Sequence, residues 1–188
     1  MLTYNSKDLM HWNLFISLED DLEKASKYIE FCLANEGAYS IELAKILMSA
    51  SSEVDVVMKM IGNHYGKNLG GINEYRELAQ EYFPEISKEM CRLPRFQMQF
   101  IPWENWNGDT NPFWWQGYNK VKHVRNIHYD KANLKNCINS VGALMIALVY
   151  YHKLTSGLSF KEVMELLTPS SRMYKMSEEY YYQLLRLS

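Results

Sequence analysis

The stretch Val141–Tyr151, VGALMIALVYY, decides the fold class because its eleven residues carry no charge. It is about half the roughly 20 residues that a membrane crossing requires, so it predicts the buried part of a helix. Apolar residues recur on both sides of it at three and four spacing, which is typical of a broad buried helix face. We therefore expect a long core helix over 131–154, capped by Asp130 and ended by the sequence Thr155-Ser156-Gly157.

Capping residues and apolar periodicity predict the other helices of the chain. The expected helices cover residues 18–34, 41–62, 72–82, 112–127, 131–154 and 160–167, with a last turn or two opening at Ser177-Glu178-Glu179. Residues 95–101 alternate polar and apolar side chains, but a lone strand makes no sheet, so we expect a loop there.

These elements predict an all-α fold, a compact helical bundle in which two antiparallel helix pairs are joined by a long aromatic-rich loop insertion. We expect one domain over residues 1–188, with a core from about 15 to 155 and short C-terminal helices over 159–188. Of the five tryptophans, four fall within 13 residues: Trp103, Trp106, Trp114 and Trp115. Such a cluster could stack nucleobases, but a hydrophobic plug is the more common arrangement.

Composition limits the class of protein more than its function. The chain has 188 residues, 47% of them hydrophobic, and a formal charge of −2, which excludes wholesale disorder and disfavours a dedicated duplex-DNA binder. No secretory signal precedes the first helix, and Cys32, Cys91 and Cys137 are too far apart for a zinc or redox motif. We therefore expect a cytoplasmic protein with reduced thiols, no membrane association, no metal and no cofactor; dinucleotide, P-loop and serine-hydrolase motifs are also missing.

A run of polar and basic residues at the end of the expected helix over 112–127 is the first candidate site. Seven residues, called here the basic strip, fall on adjoining helical rows: Asn119, Lys120, Lys122, His123, Arg125, Asn126 and His128. Arginine and lysine supply donors to phosphate, and histidine exchanges a proton near neutral pH. The strip therefore suits an anion such as a phosphodiester, although a solvated helix face or an internal ion-pair network would give the same pattern.

Two carboxylates, Glu53 and Asp55, interrupt an apolar helix and should need partners. If their helix packs beside the strip, they could bind Lys122, His123 or Arg125 and support them. A structural ion pair at a helix interface is the alternative.

Several motifs resemble a family of uncharacterised bacterial proteins over residues 15–152. They are SIELA at 40–44, SEVDVV at 52–57, YNKVKHVR at 118–125 and ANL at 132–134. The helical layout of that family is similar to the HEPN superfamily, whose all-helical and often dimeric domains occur in toxin–antitoxin and phage-defence systems. Many HEPN domains are metal-independent ribonucleases. The resemblance implies a homodimer, an antitoxin-type protein partner, and RNA or a nucleotide as ligand.

The HEPN catalytic pattern is an arginine, commonly followed by a polar residue, with a histidine four to six positions beyond it. Arg125-Asn126 matches its beginning, whereas His128 follows after two intervening residues. The resemblance implies that His123 or His128 takes a proton from a ribose 2′-hydroxyl while Arg125 stabilises charge on the phosphorane. Lys120, Lys122, Asn119 and Asn126 would hold the substrate. The alternative is a non-catalytic interaction or assembly module.

Overall fold

A computed structural model describes residues 9–176 of the chain. This part is mostly helical and holds six α-helices and one antiparallel hairpin. The helices are α1 (Met10–Ala25), α2 (Ile41–His64), α3 (Ile72–Tyr82), α4 (Phe113–His128), α5 (Leu134–Ser156) and α6 (Phe160–Leu166), and the strands are β1 (Cys91–Leu93) and β2 (Met98–Phe100). The all-α, compact bundle is therefore confirmed; the last turn expected at Ser177 lies outside the described residues.

Helices α2 and α5 form the centre of the bundle. They begin side by side, because the chain before α2 pairs with the chain before α5 through the bridge between Tyr39 and Asn133. The Sγ of Cys137 then donates to the carbonyl of Leu43, one turn into both helices. All residues from Ile138 to Tyr150 are buried, so α5 is enclosed on every side, as its apolar sequence predicts.

Helix α5 is also long and apolar enough to cross a membrane, with 83% of its most apolar window buried inside the protein. Burial of this kind is typical of a core helix.

The N-terminal cap of α5 differs from the expected one. Asn133, rather than Asp130, accepts the backbone N–H of Asn136 at 3.0 Å, because Tyr129–Lys131 forms a separate 3₁₀ turn. Gly157 ends the helix in the left-handed conformation, at φ 70°.

The first helix is displaced from its expected range. The sequence predicts 18–34 because Ser17 precedes three acidic residues, but α1 runs from Met10 to Ala25. Trp12 and Phe15 continue the apolar face upstream of Ser17 and are fully buried, so packing overrides the capping signal. The prediction was therefore wrong at both ends of this helix.

The connection between α3 and α4 contains a small sheet where the sequence predicts a loop. Strand β2 falls within the alternating residues 95–101, and its partner β1 precedes a four-residue turn. Each strand has three residues, too few for a periodic signal. The hairpin packs on α5 at Gly142, where a Cβ would lie 2.9 Å from the ring of Phe100.

The tryptophan cluster belongs to the core. Trp103, Trp106, Trp114 and Trp115 are all buried, so they form a plug and are not accessible for base stacking. The ring centroids of Trp103 and Trp106 lie 4.2 Å apart, and those of Trp103 and Trp114 lie 5.2 Å apart. This plug fixes the start of α4 against the loop that precedes it, because the indole of Trp114 donates to the carbonyl of Pro102 at 2.8 Å.

A buried carboxylate fastens the segment after α6 to α1. Glu19 is 1% exposed and accepts the backbone N–H groups of Arg172, Met173 and Tyr174 at 3.0, 2.9 and 3.3 Å. The hydroxyl of Ser171 also donates to it. Four donors around one carboxylate compensate its removal from water.

Candidate functional site

Helix α4 presents the basic strip to solvent. Lys120, Lys122, His123, Arg125 and Asn126 are exposed, whereas Asn119 and His128 are half-buried. The other side of the helix contains Trp114, Tyr118 and Val121, all buried as the sequence predicts. The core therefore anchors α4 by one face and leaves the basic residues on the other.

The close approach of α4 to α5 sets the distance between the basic strip and the core. A Cβ on Gly117 would lie 2.4 Å from the Nδ2 of Asn136, so only glycine fits without a shift. Asn136 cannot easily move away, because its amide donates to the carbonyl of Lys131 at 2.8 Å. Gly117 and Asn136 therefore help to set the position of the strip.

The permanent charges of the strip have no acidic partner. Within residues 9–176, no carboxylate forms an ion pair with Lys120, Lys122 or Arg125. The ammonium of Lys122 lies 5.3 Å from the centroid of the Tyr118 ring, a contact that leaves its charge uncompensated. The three cations are therefore available to an external anion, and the internal ion-pair network considered from the sequence does not form in this part of the chain.

The acid nearest to the strip along the chain, Asp130, is engaged elsewhere. Lys131 donates to it at 2.7 Å, and this hydrogen bond is the main cause of a lowered Asp130 pKa, with His128 contributing a smaller electrostatic effect. Because about half of the Asp130 side chain is exposed, its attraction for His128 is screened by water. Asp130 leaves the cations of the strip unneutralised.

A kink divides the strip. Val124 has φ −140° and ψ 51°, outside the helical region, so residues 119–123 and 125–128 do not share one helical register. The rows expected at three and four spacing are therefore interrupted between His123 and Arg125. No proline or glycine occupies the kink, so the sequence carries no signal for it.

A groove of about 630 Å³ lies between the C-terminal part of α4 and the first turns of α2. Its lining combines two residues of the strip with apolar and basic side chains: Ile41, Ala44, Lys45, Met48, Arg125, Asn126 and Tyr129. The Tyr129 ring makes an edge contact with Tyr39, with 5.7 Å between centroids. The groove thus places apolar and aromatic surface directly beside the Arg125 guanidinium.

Sequence reasoning missed the α2 side of this groove. Ile41 is assigned by periodicity to the buried face of α2, but it is 67% exposed. Its position immediately after the cap Ser40, in the first turn of α2, is the one available signal. Lys45 adds a cation from a second element. Its ammonium donates a hydrogen bond to the Glu42 carboxylate at 2.8 Å, and this contact raises the Lys45 pKa.

The two carboxylates expected to support the strip have other partners. Glu53 pairs with His11 across the interface between α1 and α2. Asp55 accepts the hydroxyl of Tyr75 at 2.6 Å and the ammonium of Lys59 at 2.7 Å. The expected contacts with Lys122, His123 or Arg125 are therefore wrong. The alternative of an ion pair at a helix interface describes Glu53, whereas Asp55 forms its ion pair within α2 and contacts α3 through a neutral hydroxyl.

Groups that could hold a metal ion are missing from the described residues: no three His, Cys, Asp or Glu side chains converge there. Cys91 and Cys137 are buried, and burial raises the pKa of each thiol well above its ordinary value. Both thiols are accordingly protonated and inert. The chemistry that the exposed site offers is anion binding by Lys and Arg, with imidazoles able to exchange protons.

Comparisons of the chain with protein-family models, with curated proteins and with solved structures give no significant match.

Proposed function

We propose that the protein binds RNA through the basic strip, with the phosphodiester backbone held by Lys120, Lys122 and Arg125. The observation that carries this proposal is that all three cations are exposed and free of carboxylate partners within residues 9–176. Unmatched cations on a helix anchored by its buried face can take up phosphates in exchange for counterions, which is the main source of affinity for nucleic acids. Because the chain has an overall charge of −2, the whole protein does not attract RNA electrostatically, and binding depends on this local basic surface.

The groove beside Arg125 supports a single-stranded ligand. Its apolar side chains, Ile41 and Met48, and the Tyr129 ring offer a surface on which an unpaired base can rest while Arg125 holds the adjacent phosphate. A duplex keeps its bases stacked inside and would not use this surface. We therefore expect single-stranded RNA to bind more tightly than a duplex of the same sequence.

The resemblance to HEPN domains extends the proposal to cleavage. His123 or His128 would accept the proton of a 2′-hydroxyl, and the 2′-oxygen would then attack the adjacent phosphorus. Arg125 would stabilise the charge on the phosphorane, and the 5′-oxygen would leave with a proton from the other imidazole. The products are a 2′,3′-cyclic phosphate and a 5′-hydroxyl. In this scheme the protein is a cytoplasmic, HEPN-like ribonuclease that works as a homodimer and pairs with an antitoxin-type protein.

The binding proposal is tested by fluorescence anisotropy with a labelled single strand of about 12 nucleotides. The triple variant K120A/K122A/R125A should bind at least about 100-fold more weakly, since each charge-assisted contact is worth about 1 kcal/mol or more. The control K27A/K88A/K161A removes the same charge from residues outside the strip and should leave affinity nearly unchanged. Equal losses in the two variants would show a general charge effect and contradict the proposal.

The cleavage proposal is tested by incubating the same RNA with protein in a chelator. We expect fragments that end in a cyclic phosphate, and H123A/H128A should abolish them while RNA binding persists. Intact RNA in the presence of tight binding would reject cleavage and leave binding in place.

A second candidate function is a protein-docking module for an acidic partner. Ile41, Val124 and Ile127 are 67%, 39% and 67% exposed, and apolar side chains of this kind are common at the centre of protein interfaces. If this alternative holds, I41S/I127S abolishes binding of the acidic partner. RNA then binds only with the weak affinity that any exposed basic surface has, in this variant as in wild type. Two results together would favour RNA as the ligand. The K120A/K122A/R125A variant would lose its RNA affinity, and I41S/I127S would leave binding to the acidic partner unchanged.

A further inference from the structure

A second cavity, of about 390 Å³, is lined in part by the segment that leads into α2. It is bounded by strand β2, the start of α4 and the first turns of α5. None of its lining residues belongs to the basic strip or to the groove beside Arg125. A ligand here would therefore bind independently of the RNA site proposed above.

Part of the cavity wall is apolar and aromatic. Met98 and Phe100 come from β2, Phe113 opens α4, and Leu33 covers the side near α2. Leu33 is 78% exposed, so it stands at the mouth of the cavity rather than in the core. These surfaces suit a flat apolar body of about the size of one substituted ring.

One buried polar group points to the chemistry of the ligand. Asn139 is 3% exposed and lines the cavity. Its Nδ2 donates to the carbonyl of Lys135 at 2.9 Å, whereas its Oδ1 has no hydrogen-bond partner within residues 9–176. This oxygen is a free acceptor on a side chain that lines the cavity, and an N–H group of a ligand could donate to it.

The charges around the cavity favour a cation. Lys135 pairs with Glu36 at 3.1 Å and lies 5.6 Å from the centroid of the Phe113 ring, so its charge is already matched. Glu104 also lines the cavity and forms no ion pair with any described residue. The lining therefore carries one uncompensated charge, which is negative, in addition to the free acceptor of Asn139.

We infer that this cavity binds a small organic cation, an amidinium or protonated amine carried on a flat apolar body. The cationic N–H groups donate to Glu104 and to the Oδ1 of Asn139, and the body packs against Met98, Phe100 and Phe113. A carboxylate or phosphate in the same place would face Glu104 and the Asn139 oxygen and is rejected by both.

Three probes of nearly the same shape test the inference by calorimetry: benzamidine, benzamide and benzoate. Benzamidine should bind saturably, benzamide about tenfold more weakly or worse, and benzoate not at all. Amide resonances of Gln99 and Asn139 should shift on titration with benzamidine. Benzoate or benzamide binding as tightly as benzamidine, or no saturable benzamidine binding, would overturn the inference.

Two substitutions at exposed positions locate the site without disturbing the core. E104Q should lower benzamidine affinity about tenfold and leave benzamide unaffected, whereas the matched control E165Q on α6 should change neither. L33W should fill the mouth and weaken the binding of benzamidine and benzamide. Equal effects of E104Q and E165Q, or full benzamidine binding by L33W, would place the bound probe elsewhere and contradict the assignment.

Discussion

Replacing Gly117 by alanine should disturb the packing that positions the basic strip. The new Cβ would lie 2.4 Å from the Nδ2 and 3.0 Å from the Cγ of Asn136, and 3.5 Å from the carbonyl oxygen of Lys131. Either the Asn136 amide rotates and loses its 2.8 Å bond to Lys131, or α4 moves away from α5.

The size of the effect follows from three contributions. Overpacking costs about 1–3 kcal/mol and the lost hydrogen bond costs about 1 kcal/mol. The better helix propensity of alanine returns about 1 kcal/mol. We therefore expect G117A to lower the free energy of unfolding by about 2 kcal/mol and the Tm by roughly 4–8 °C.

Urea denaturation of a double-mutant cycle checks this reasoning. In an N136A background the obstacle is gone, so adding G117A should be neutral or slightly stabilising. Gly37 serves as the control, because a Cβ there meets nothing within 4 Å and G37A should change stability by less than about 0.5 kcal/mol. An equal cost of G117A with and without Asn136 would refute the steric explanation, and so would no cost in the wild-type background.

Three further outcomes follow from buried polar groups. E19Q should lower the free energy of unfolding by at least about 2 kcal/mol in urea melts, because an amide cannot accept all the N–H groups that surround Glu19; full stability would contradict the assigned contacts. H11A should cost about 1–2 kcal/mol in wild type and clearly less in E53Q, and additive losses would show that the two residues are not coupled. Burial and, to a lesser extent, the hydrogen bond to Asp55 raise the pKa of Tyr75 above its ordinary value of 10.0. The neutral hydroxyl therefore stabilises the folded state, and this contribution to stability is lost as pH rises above about 10. Y75F should therefore lose less stability than wild type above that pH, and identical pH profiles would contradict this.

The sequence predicts the elements that carry several consistent signals. Helices α2, α3 and α6 begin and end within two residues of their expected limits, because Ser40 and Ser159 cap α2 and α6 and apolar periodicity marks all three. Helix α1 was misplaced because Ser17 followed by acidic residues imitates a cap inside a helix. Strands β1 and β2 are too short to show a period, and their pairing depends on a contact between residues on either side of a turn.

The candidate site was predictable in composition but not in geometry. The exposure of Lys120, Lys122 and Arg125 follows from the burial of the opposite face of α4, which the periodicity indicates. The kink at Val124 and the partner of Glu53 depend on tertiary packing that no local pattern encodes. Sequence alone could not show that α2 contributes Ile41 and Lys45 to the same surface, because residues so far apart in the chain meet only in the fold.

The salt dependence of RNA affinity tests the central proposal most directly. Each phosphate contact on a single strand adds about 0.7 to the slope of log Kd against log salt concentration, so three contacts add about 2. Anisotropy titrations between about 50 and 300 mM KCl should show the slope of K120A/K122A/R125A reduced by about 2 relative to wild type, with K27A/K88A/K161A unchanged. Parallel slopes for wild type and K120A/K122A/R125A would mean that the strip does not hold phosphates and would contradict the account.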